Sequence, residues 1–186
     1  MSWTAIILLA LAAVLLLWLL LTFNRFIRQR HRLNEAWSGI DVQLKRRADL
    51  IPNLVETVQA YKIYERDLLS RVTELRGESL RTDSREQRGR VEGQLAGALI
   101  EIFALAEAYP DLKASRIFLD LQKQLVDVED TLQMARRYYN GTVRDQNVLV
   151  ESVPSNIVSA LFGFRRAEYF QLENDTERAA PSARTA

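Results

Sequence analysis

An uninterrupted apolar segment near the N-terminus constrains the fold of this chain more than any other feature. Residues 1–24 carry no charged side chain, and Thr4–Phe23, TAIILLALAAVLLLWLLLTF, is apolar almost throughout. The 20 residues of this run, at about 1.5 Å of helix each, span about 30 Å, which is the thickness of the hydrocarbon core of a bilayer. The segment therefore predicts a transmembrane helix over residues 4–23.

A cleaved signal peptide is the alternative explanation of such a segment. A signal peptide begins with basic residues, has a shorter apolar run, and ends in small residues at the cleavage site. Here no basic residue precedes the run, and the bulky sequence FNRFIRQRHR follows it. We therefore predict an uncleaved anchor, with the short N-terminus and the membrane helix together occupying residues 1–24.

A basic collar, residues 25–32, follows the apolar run and predicts the orientation in the membrane. All of its charges are positive, and the first acidic residue is Glu35. Because positive flanks stay inside, we expect residues 25–186 in the cytoplasm and the short N-terminus on the outer side of the membrane. Such a flank can also contact anionic lipid head groups, although stopping transfer is the simpler role. The candidate head-group contacts are Arg25, Arg28, Arg30 and Arg32.

Composition excludes several classes of function. The formal net charge is +1, and without the collar the rest of the chain is mildly acidic, so nucleic acid is not an expected partner. The chain has no cysteine, which excludes disulfides, thiolate nucleophiles and cysteine-ligated zinc. We therefore expect the protein to act at the membrane, with lipids and other proteins as its partners.

The remainder of the chain has the apolar periodicity of long helices. Glycine and proline are sparse between residues 25 and 153, and apolar residues recur at steps of three and four. We predict three long helices, from Leu33 to Leu75, from Ser84 to Tyr109 and from Ser115 to the residue before Pro154. A short helix then precedes Gly163, with Ser155 or Asn156 as its cap, and 174–186 form a disordered tail.

Long helices with apolar stripes bury those stripes against one another. The expected fold is therefore all-α: the membrane helix, then an elongated antiparallel helical bundle over residues 33–173. Pro52 lies inside the first predicted helix, where it removes the hydrogen bond to the carbonyl of Ala48. Because the apolar spacing passes through it in phase, we favour a kink. A break there would give a four-helix up-and-down bundle instead.

The sequence contains no recognisable catalytic constellation. Its single histidine is His31, in the collar, so neither a di-iron Glu-x-x-His pair nor a catalytic triad can form. No glycine-rich phosphate loop is present. Carboxylates such as Glu101 and Glu107 have the spacing of ordinary solvated helix faces. We therefore predict a protein that is not an enzyme and needs no cofactor or metal.

Two polar groups lie within the apolar stripes and are the candidates for an interhelical or partner-binding surface. A solvated face with weak ion pairs is the simpler explanation of the first group. We expect an aspartate of the first group to pair with an arginine of the second, and the asparagines to fix helix register. The first group is Asp41, Lys45, Arg46, Arg47 and Asp49, and the second is Arg136, Arg137, Asn140 and Asn147.

Four blocks of the sequence resemble the LemA family of bacterial membrane proteins. In chain order they are AWSGIDVQLKRRADLIPNLVETVQAY, YPDLKASRIFLDLQKQL, ARRYYNGTVRDQN and VPSNIVSALFGF. The resemblance covers residues 30 to 170 and includes the N-terminal membrane helix. The region RGESLRTDSREQRGRVEGQLAGAL departs from it, because the family is commonly richer in alanine there.

The resemblance implies a single membrane helix, an all-α bundle and no established enzymatic activity. Some members of the family are associated with membrane zinc proteases, and a relative serves in magnetosome membrane formation. The resemblance thus implies a scaffold or adaptor at the cytoplasmic membrane, with protein partners that include a membrane protease as a candidate. A lipid-binding, membrane-organising role is the alternative, and a homo-oligomer stays open. No catalytic residues are carried over.

Overall fold

A computed structural model describes residues 2–61 and 65–171 of the chain, and this part is all-α. The described residues form no strand. The expected tail, 174–186, lies outside the described residues. The helices are α1 (Trp3–Ala60), α2 (Arg66–Arg81), α3 (Arg85–Ala106), α4 (Pro110–Lys113), α5 (Arg116–Glu151) and α6 (Ser155–Phe162). The predicted fold class, an apolar N-terminal helix followed by further helices, is confirmed.

The described residues divide into two compact units. The anchor unit comprises residues 2–39 and 137–169, and the bundle unit comprises residues 40–61, 65–136 and 170–171. Helices α1 and α5 each contribute one part to the anchor unit and another to the bundle unit.

The N-terminal part of α1 has the properties of a membrane-spanning helix. Within the described residues, α1 is the one helix that is long and apolar enough to cross a bilayer, and none of its most apolar window is buried inside the protein. Leucines such as Leu8 and Leu16 are exposed around its surface. A helix that is apolar on all sides and uncovered by protein needs an apolar surrounding, which a bilayer supplies.

Four long helical segments form the bundle unit, with the short α4 between the last two: residues 40–60 of α1, then α2, α3, and residues 116–136 of α5. Side-chain contacts join α1 to α2 (Arg76 to Ala48), α2 to α3 (Ser79 to Glu92) and α3 to α5 (Phe103 to Phe118). Each pair flanks the connection between its two helices, so consecutive helices are antiparallel. The bundle is up-and-down, and its fully buried core includes Leu54, Val58, Val72, Leu95, Ala98 and Ile102.

The expected end of the first helix, at Leu75, is wrong. Helix α1 ends at Ala60 and α2 begins at Arg66. Residues 76–83, which the predicted bounds leave between the first two helices, are helical as far as Arg81. Helix α2 buries Leu69, Val72 and Leu75 in the core that α1 also faces. Because the two helices present stripes of the same period to one core, apolar spacing alone does not reveal the reversal between them.

Pro52 lies inside α1, which continues through it to Ala60. A break at Pro52 is therefore wrong, although the four-helix topology that it would have produced is present. Pro52 has no N–H to donate to the carbonyl of Ala48, and Ala48 is buried. The side chain of Arg76 replaces the missing donor, because its Nε–H donates to the Ala48 oxygen at 2.6 Å. The hydrogen bond lost to proline is thus supplied from α2.

Helix α1 is continuous from Trp3 through the predicted start at Leu33, whereas the predicted bounds of α3 and α5 agree with the structure to within three residues. The hydroxyl of Ser84 accepts from the backbone N–H of Gln87 at 3.4 Å, as a capping residue does. Gly163 ends α6 with a φ of 72°, a conformation that favours glycine. Ser155 is the first helical residue and donates its hydroxyl to the Leu149 carbonyl instead of capping α6.

The final described residues of the bundle unit pack against α3. Phe170 is fully buried, whereas Tyr169 is exposed. The chain passes so close to Gly89 of α3 that a Cβ there would overlap the carbonyl oxygen of Gln171. Glycine at position 89 therefore allows the segment to approach α3.

In the anchor unit, residues 137–151 of α5 pack along the membrane-proximal part of α1. The amide of Gln29 donates to the Thr142 carbonyl at 2.9 Å, and the rings of Trp37 and Tyr139 meet edge to face with centroids 5.5 Å apart. The segment after α6 folds back over this pair, since the Tyr139 hydroxyl donates to the Glu168 carbonyl at 3.0 Å.

We predict that Pro52 and Arg76 are energetically coupled. Arg76→Leu leaves the buried Ala48 carbonyl without a donor and is expected to lower the free energy of unfolding by about 1–3 kcal/mol. In a Pro52→Ala background the alanine N–H restores the helical bond, so the same substitution costs less. Urea unfolding of the full chain in detergent, followed by circular dichroism, measures both values. Arg71→Leu, which removes an exposed ion pair with Glu101, is the control, and equal costs of Arg76→Leu in the two backgrounds would contradict the assignment.

Candidate interaction surface

A buried ionic cluster joins all four helices of the bundle unit. Its members are Arg47 from α1, Ser79 from α2, Glu92 from α3 and Glu129 from α5. Arg47 is only 2% exposed, and Glu92 and Ser79 are buried with it. Each helix thus contributes one polar group to a common centre within an otherwise apolar core.

The contacts within this cluster are charge-assisted and converge on Arg47 and Glu92. One guanidinium nitrogen of Arg47 donates to a Glu92 carboxylate oxygen at 2.9 Å, and the other contacts the carboxylate of Glu129. The hydroxyl of Ser79 donates to the second oxygen of Glu92. Charge-assisted hydrogen bonds of this kind are shorter and stronger than neutral ones.

Burial sets the electrostatics of Arg47. Desolvation lowers the pKa of its guanidinium, the carboxylate of Glu92 raises it, and the nearby charge of Arg136 lowers it further. Isolated buried charges are costly, and the attraction between partners offsets that cost only when the geometry is good. The carboxylates of Glu92 and Glu129 meet this condition, so the cluster requires the four helices to be in register.

The sequence reasoning selected Arg47 but missed Glu92 as its partner. The signal was present, because Glu92, Leu95, Leu99 and Ile102 follow one another at helical steps of three and four. A carboxylate on an apolar stripe needs a cation from a neighbouring helix, and Arg47 occupies the corresponding position on α1. Only the packing of the helices determines which cation pairs with Glu92.

A groove between α3 and α5 opens beside the ionic cluster, with a volume of about 300 Å³. Two of its apolar lining residues are uncovered, since Ile100 is 62% exposed and Val126 is 50% exposed. Glu129 and Arg136 give the lining both signs of charge. The remaining lining residues are Arg47, Ala96, Leu99, Phe103, Leu125 and Gln133.

The rest of the first predicted polar group lies on the outer face of α1. Lys45, Arg46 and Asp49 are exposed. Asp41 forms an ion pair with Arg88 of α3 at 2.6 Å, and Arg88 is neither of the two arginines expected as its partner. The first group therefore divides into one buried cation, one interhelical pair and an exposed polar stripe.

The second predicted polar group is also divided. Arg136 is half-buried and lines the groove, Arg137 is exposed, and Asn140 is half-buried. Asn147 is buried in the anchor unit, where its amide bonds the backbone of Ala167 twice, at 2.8 and 3.1 Å. Asn147 thereby fixes the segment that follows α6 against α5.

All four arginines of the basic collar are exposed. Arg25, Arg28 and Arg32 surround an open cavity of about 540 Å³ in the anchor unit, which Asp145 also lines. The structure thus places three of the four candidate head-group contacts together. Within residues 2–61 and 65–171, no group of three or more histidine, aspartate and glutamate side chains is arranged to hold a metal ion.

An apolar anchor helix that leads into an all-α bundle defines a membrane-anchored helical-bundle protein. Comparison with known families identifies the family within this class. The sequence pattern of the LemA family matches residues 36–184. The match covers most of the chain, and the chain belongs to the LemA family. The resemblance of its four sequence blocks is thereby confirmed.

Curated relatives of the chain are bacterial. Magnetosome protein MamQ 1 and Magnetosome protein MamQ 2 of Paramagnetospirillum magneticum are each 25% identical to this chain over an alignment of 179 residues, and the alignment covers 82% of this chain and 66% of each relative. Protein LemA of Metamycoplasma hominis is 26% identical over an alignment of 153 residues, and the alignment covers 80% of this chain and 68% of the relative. The chain spans just under two thirds of the length of these magnetosome proteins.

We predict that Arg47 is far more important for stability than the neighbouring Arg46. Arg47→Ala leaves Glu92 buried without its cation and is expected to cost about 3–5 kcal/mol of unfolding free energy. Arg46→Ala removes an exposed side chain and is expected to change it by about 0.5 kcal/mol or less. Urea unfolding of the two variants in detergent compares them. Equal stability of the two variants would show that the cluster does not hold the bundle together.

Proposed function

We propose that this protein is a non-enzymatic, membrane-anchored scaffold that binds the amphipathic helix of a partner protein in the groove between α3 and α5. Family membership and the apolar anchor helix support the membrane location. The observation that carries the proposal is the exposure of Ile100 and Val126 in one groove, next to a rigid ionic cluster.

The dimensions of the groove favour a helix as its occupant. On α3 its lining runs from Ala96 to Phe103, which is about 10 Å along a helix axis. Two turns of a partner helix place anchor residues at i, i+3 or i+4, and i+7 over this distance. The apolar lining suits such anchors, and the charges of Glu129 and Arg136 suit the polar margin of an amphipathic helix.

The neighbouring ionic cluster supports the same role. A groove between two helices binds a partner without an ordering cost only when the helices are already held in place. Arg47 and Glu129 line the groove and also belong to the cluster that joins the four helices. The surface offered to a partner is therefore preorganised.

We place the bundle unit in the cytoplasm, on the side of the membrane that the collar predicts. The support is the concentration of Arg25, Arg28, Arg30 and Arg32 immediately after the apolar run. Because the chain lacks cysteine, Glu74→Cys introduces a single exposed thiol on α2. In intact cells a membrane-impermeant maleimide is expected to leave this thiol unlabelled until the cells are opened. Labelling in intact cells would put the bundle unit outside.

The names of the relatives suggest where in the cell such a scaffold acts. Two of them are named for the magnetosome, so proteins similar to this chain are associated with a specialised bacterial structure. We infer that this chain likewise brings partner proteins to a membrane, and a membrane protease stays one candidate partner.

Site-specific crosslinking in the native membrane tests the groove. A photoreactive amino acid at position 100 is expected to give discrete crosslinked products with a partner protein. The same residue in place of Glu74, which is exposed on α2, is the control and is expected to give none. A Val126→Asp substitution on the opposite side of the groove should reduce the products from position 100, because it places a charge among the apolar anchors.

A third position separates the groove from the other candidate surface. The photoreactive residue in place of Arg46 samples the exposed polar stripe of α1. Products from position 46 without products from position 100 would contradict the groove and assign partner binding to Lys45, Arg46 and Asp49. Identical products from all three positions would indicate random encounters with abundant proteins and would contradict a specific scaffold.

A further inference from the structure

Helix α6 has an apolar face that no described residue covers. Its sequence, SNIVSALF, contains no charged residue, and the uncharged run continues through Gly163 and Phe164. Ile157 is 59% exposed and Leu161 is 68% exposed, and these residues are one helical turn apart. Another side of the helix is packed, since Val158 and Ser159 are buried and the Ser159 hydroxyl donates to the Val150 carbonyl of α5. An uncharged helix with two large exposed aliphatic side chains is unusual for a surface in water.

The position of α6 along α1 identifies the surroundings of this face. The ring of Phe162 contacts that of Phe23, with centroids 4.9 Å apart, and Phe23 is the last residue of the apolar run. Trp18 and Leu19, which lie one turn or more inside the run, pack against the cluster of Phe26, Leu149 and Val158. Trp18 precedes Phe23 by about 7 Å of helix. Helix α6 therefore lies beside the end of the membrane span and at its depth.

The charges around α6 are arranged as they are around an interfacial segment. Arg165 and Arg166 follow the uncharged run and are exposed, and Arg166 pairs with Glu151, the last residue of α5. Arg25 and Arg28 occupy the corresponding position on α1, just beyond Phe23. Both segments thus change from apolar to basic at the level where head groups lie, and the phenylalanine rings are apolar bodies suited to that level.

We propose that α6 is a second membrane-contacting element, which lies in the bilayer interface and inserts Ile157, Leu161 and Phe162 among the lipid acyl chains. A helix in this position buries its apolar face about 5–10 Å below the head groups, which matches the depth of Trp18 to Phe23 on α1. The contact attaches the end of α5, as well as α1, to the membrane surface. It is independent of partner binding in the groove, which belongs to the other unit.

The absence of cysteine allows a direct test on the full chain. Leu161→Cys carries a nitroxide spin label in vesicles of phosphatidylethanolamine and phosphatidylglycerol, and collisions with oxygen and with a water-soluble nickel complex are measured. We expect the ratio of oxygen to nickel collisions to be severalfold higher than for a label at Ile100→Cys, which is similarly exposed on α3. It should stay below the ratio for Leu11→Cys, an exposed position near the middle of the membrane span, because α6 lies closer to the head groups.

A second variant tests the apolar face itself. In Ile157→Cys labelled protein, Leu161→Asp is expected to move the label toward water and lower the collision ratio, while circular dichroism stays unchanged because Leu161 does not contribute to the buried core. High salt should leave the ratio unchanged, since the insertion is apolar, whereas contacts made by the arginines alone weaken as salt screens them.

Two outcomes would overturn the proposal. A label at Leu161 that collides freely with the nickel complex would place α6 in water. A label shielded from both reagents would place its face against protein, either a second copy of the chain or a partner. Neither outcome bears on the groove, because crosslinking from position 100 is read out independently.

Discussion

The bundle unit depends on one buried ionic interaction, the pairing of Arg47 with Glu92. A guanidinium and a carboxylate withdrawn from water are tolerated only together, and here Ser79 and Glu129 satisfy the remaining groups. Since each of these residues comes from a different helix, a rotation or slip of any one helix would leave a buried charge unmatched. Apolar packing alone is less selective, because many registers bury similar areas. The ionic cluster thus specifies the arrangement that the apolar core stabilises.

At Pro52, too, a residue of another helix supplies a hydrogen bond that α1 lacks. The proline removes a donor from α1, and Arg76 of α2 supplies it at 2.6 Å. Both examples follow from the cost of burying an unsatisfied polar group, which exceeds the benefit of a single added hydrogen bond. Arg47 and Arg76 therefore connect the backbone and side chains of α1 to the helices around it. The groove beside this framework inherits its rigidity, which is why we assign partner binding there.

The anchor unit is organised by an apolar requirement instead. Aromatic residues of α1, α6 and the following segment form one cluster, in which the rings of Phe26 and Phe164 stack with centroids 4.5 Å apart. Asn147 and Tyr139 hold the returning backbone by hydrogen bonds. This arrangement brings an uncharged helix, distant in sequence from the membrane segment, to the end of that segment. The exposed apolar face of α6 agrees with our proposal that the bilayer surrounds both α6 and the membrane segment of α1.

The sequence by itself determined the features that depend on local pattern: the apolar anchor, the all-α class, the cap at Ser84, the end of α6 at Gly163 and membership of the LemA family. It also selected Arg47, but as one of several polar residues on α1. The tertiary structure decided the reversal after Ala60, the partners of Arg47 and Asp41, and the position of α6 beside Phe23. The reason is physical: periodicity reports which face of a helix is buried, whereas the choice of partner depends on which faces meet across the core. A buried charge or an unpaired carbonyl can be satisfied by only a few groups, so these polar residues determine which helix faces pack together.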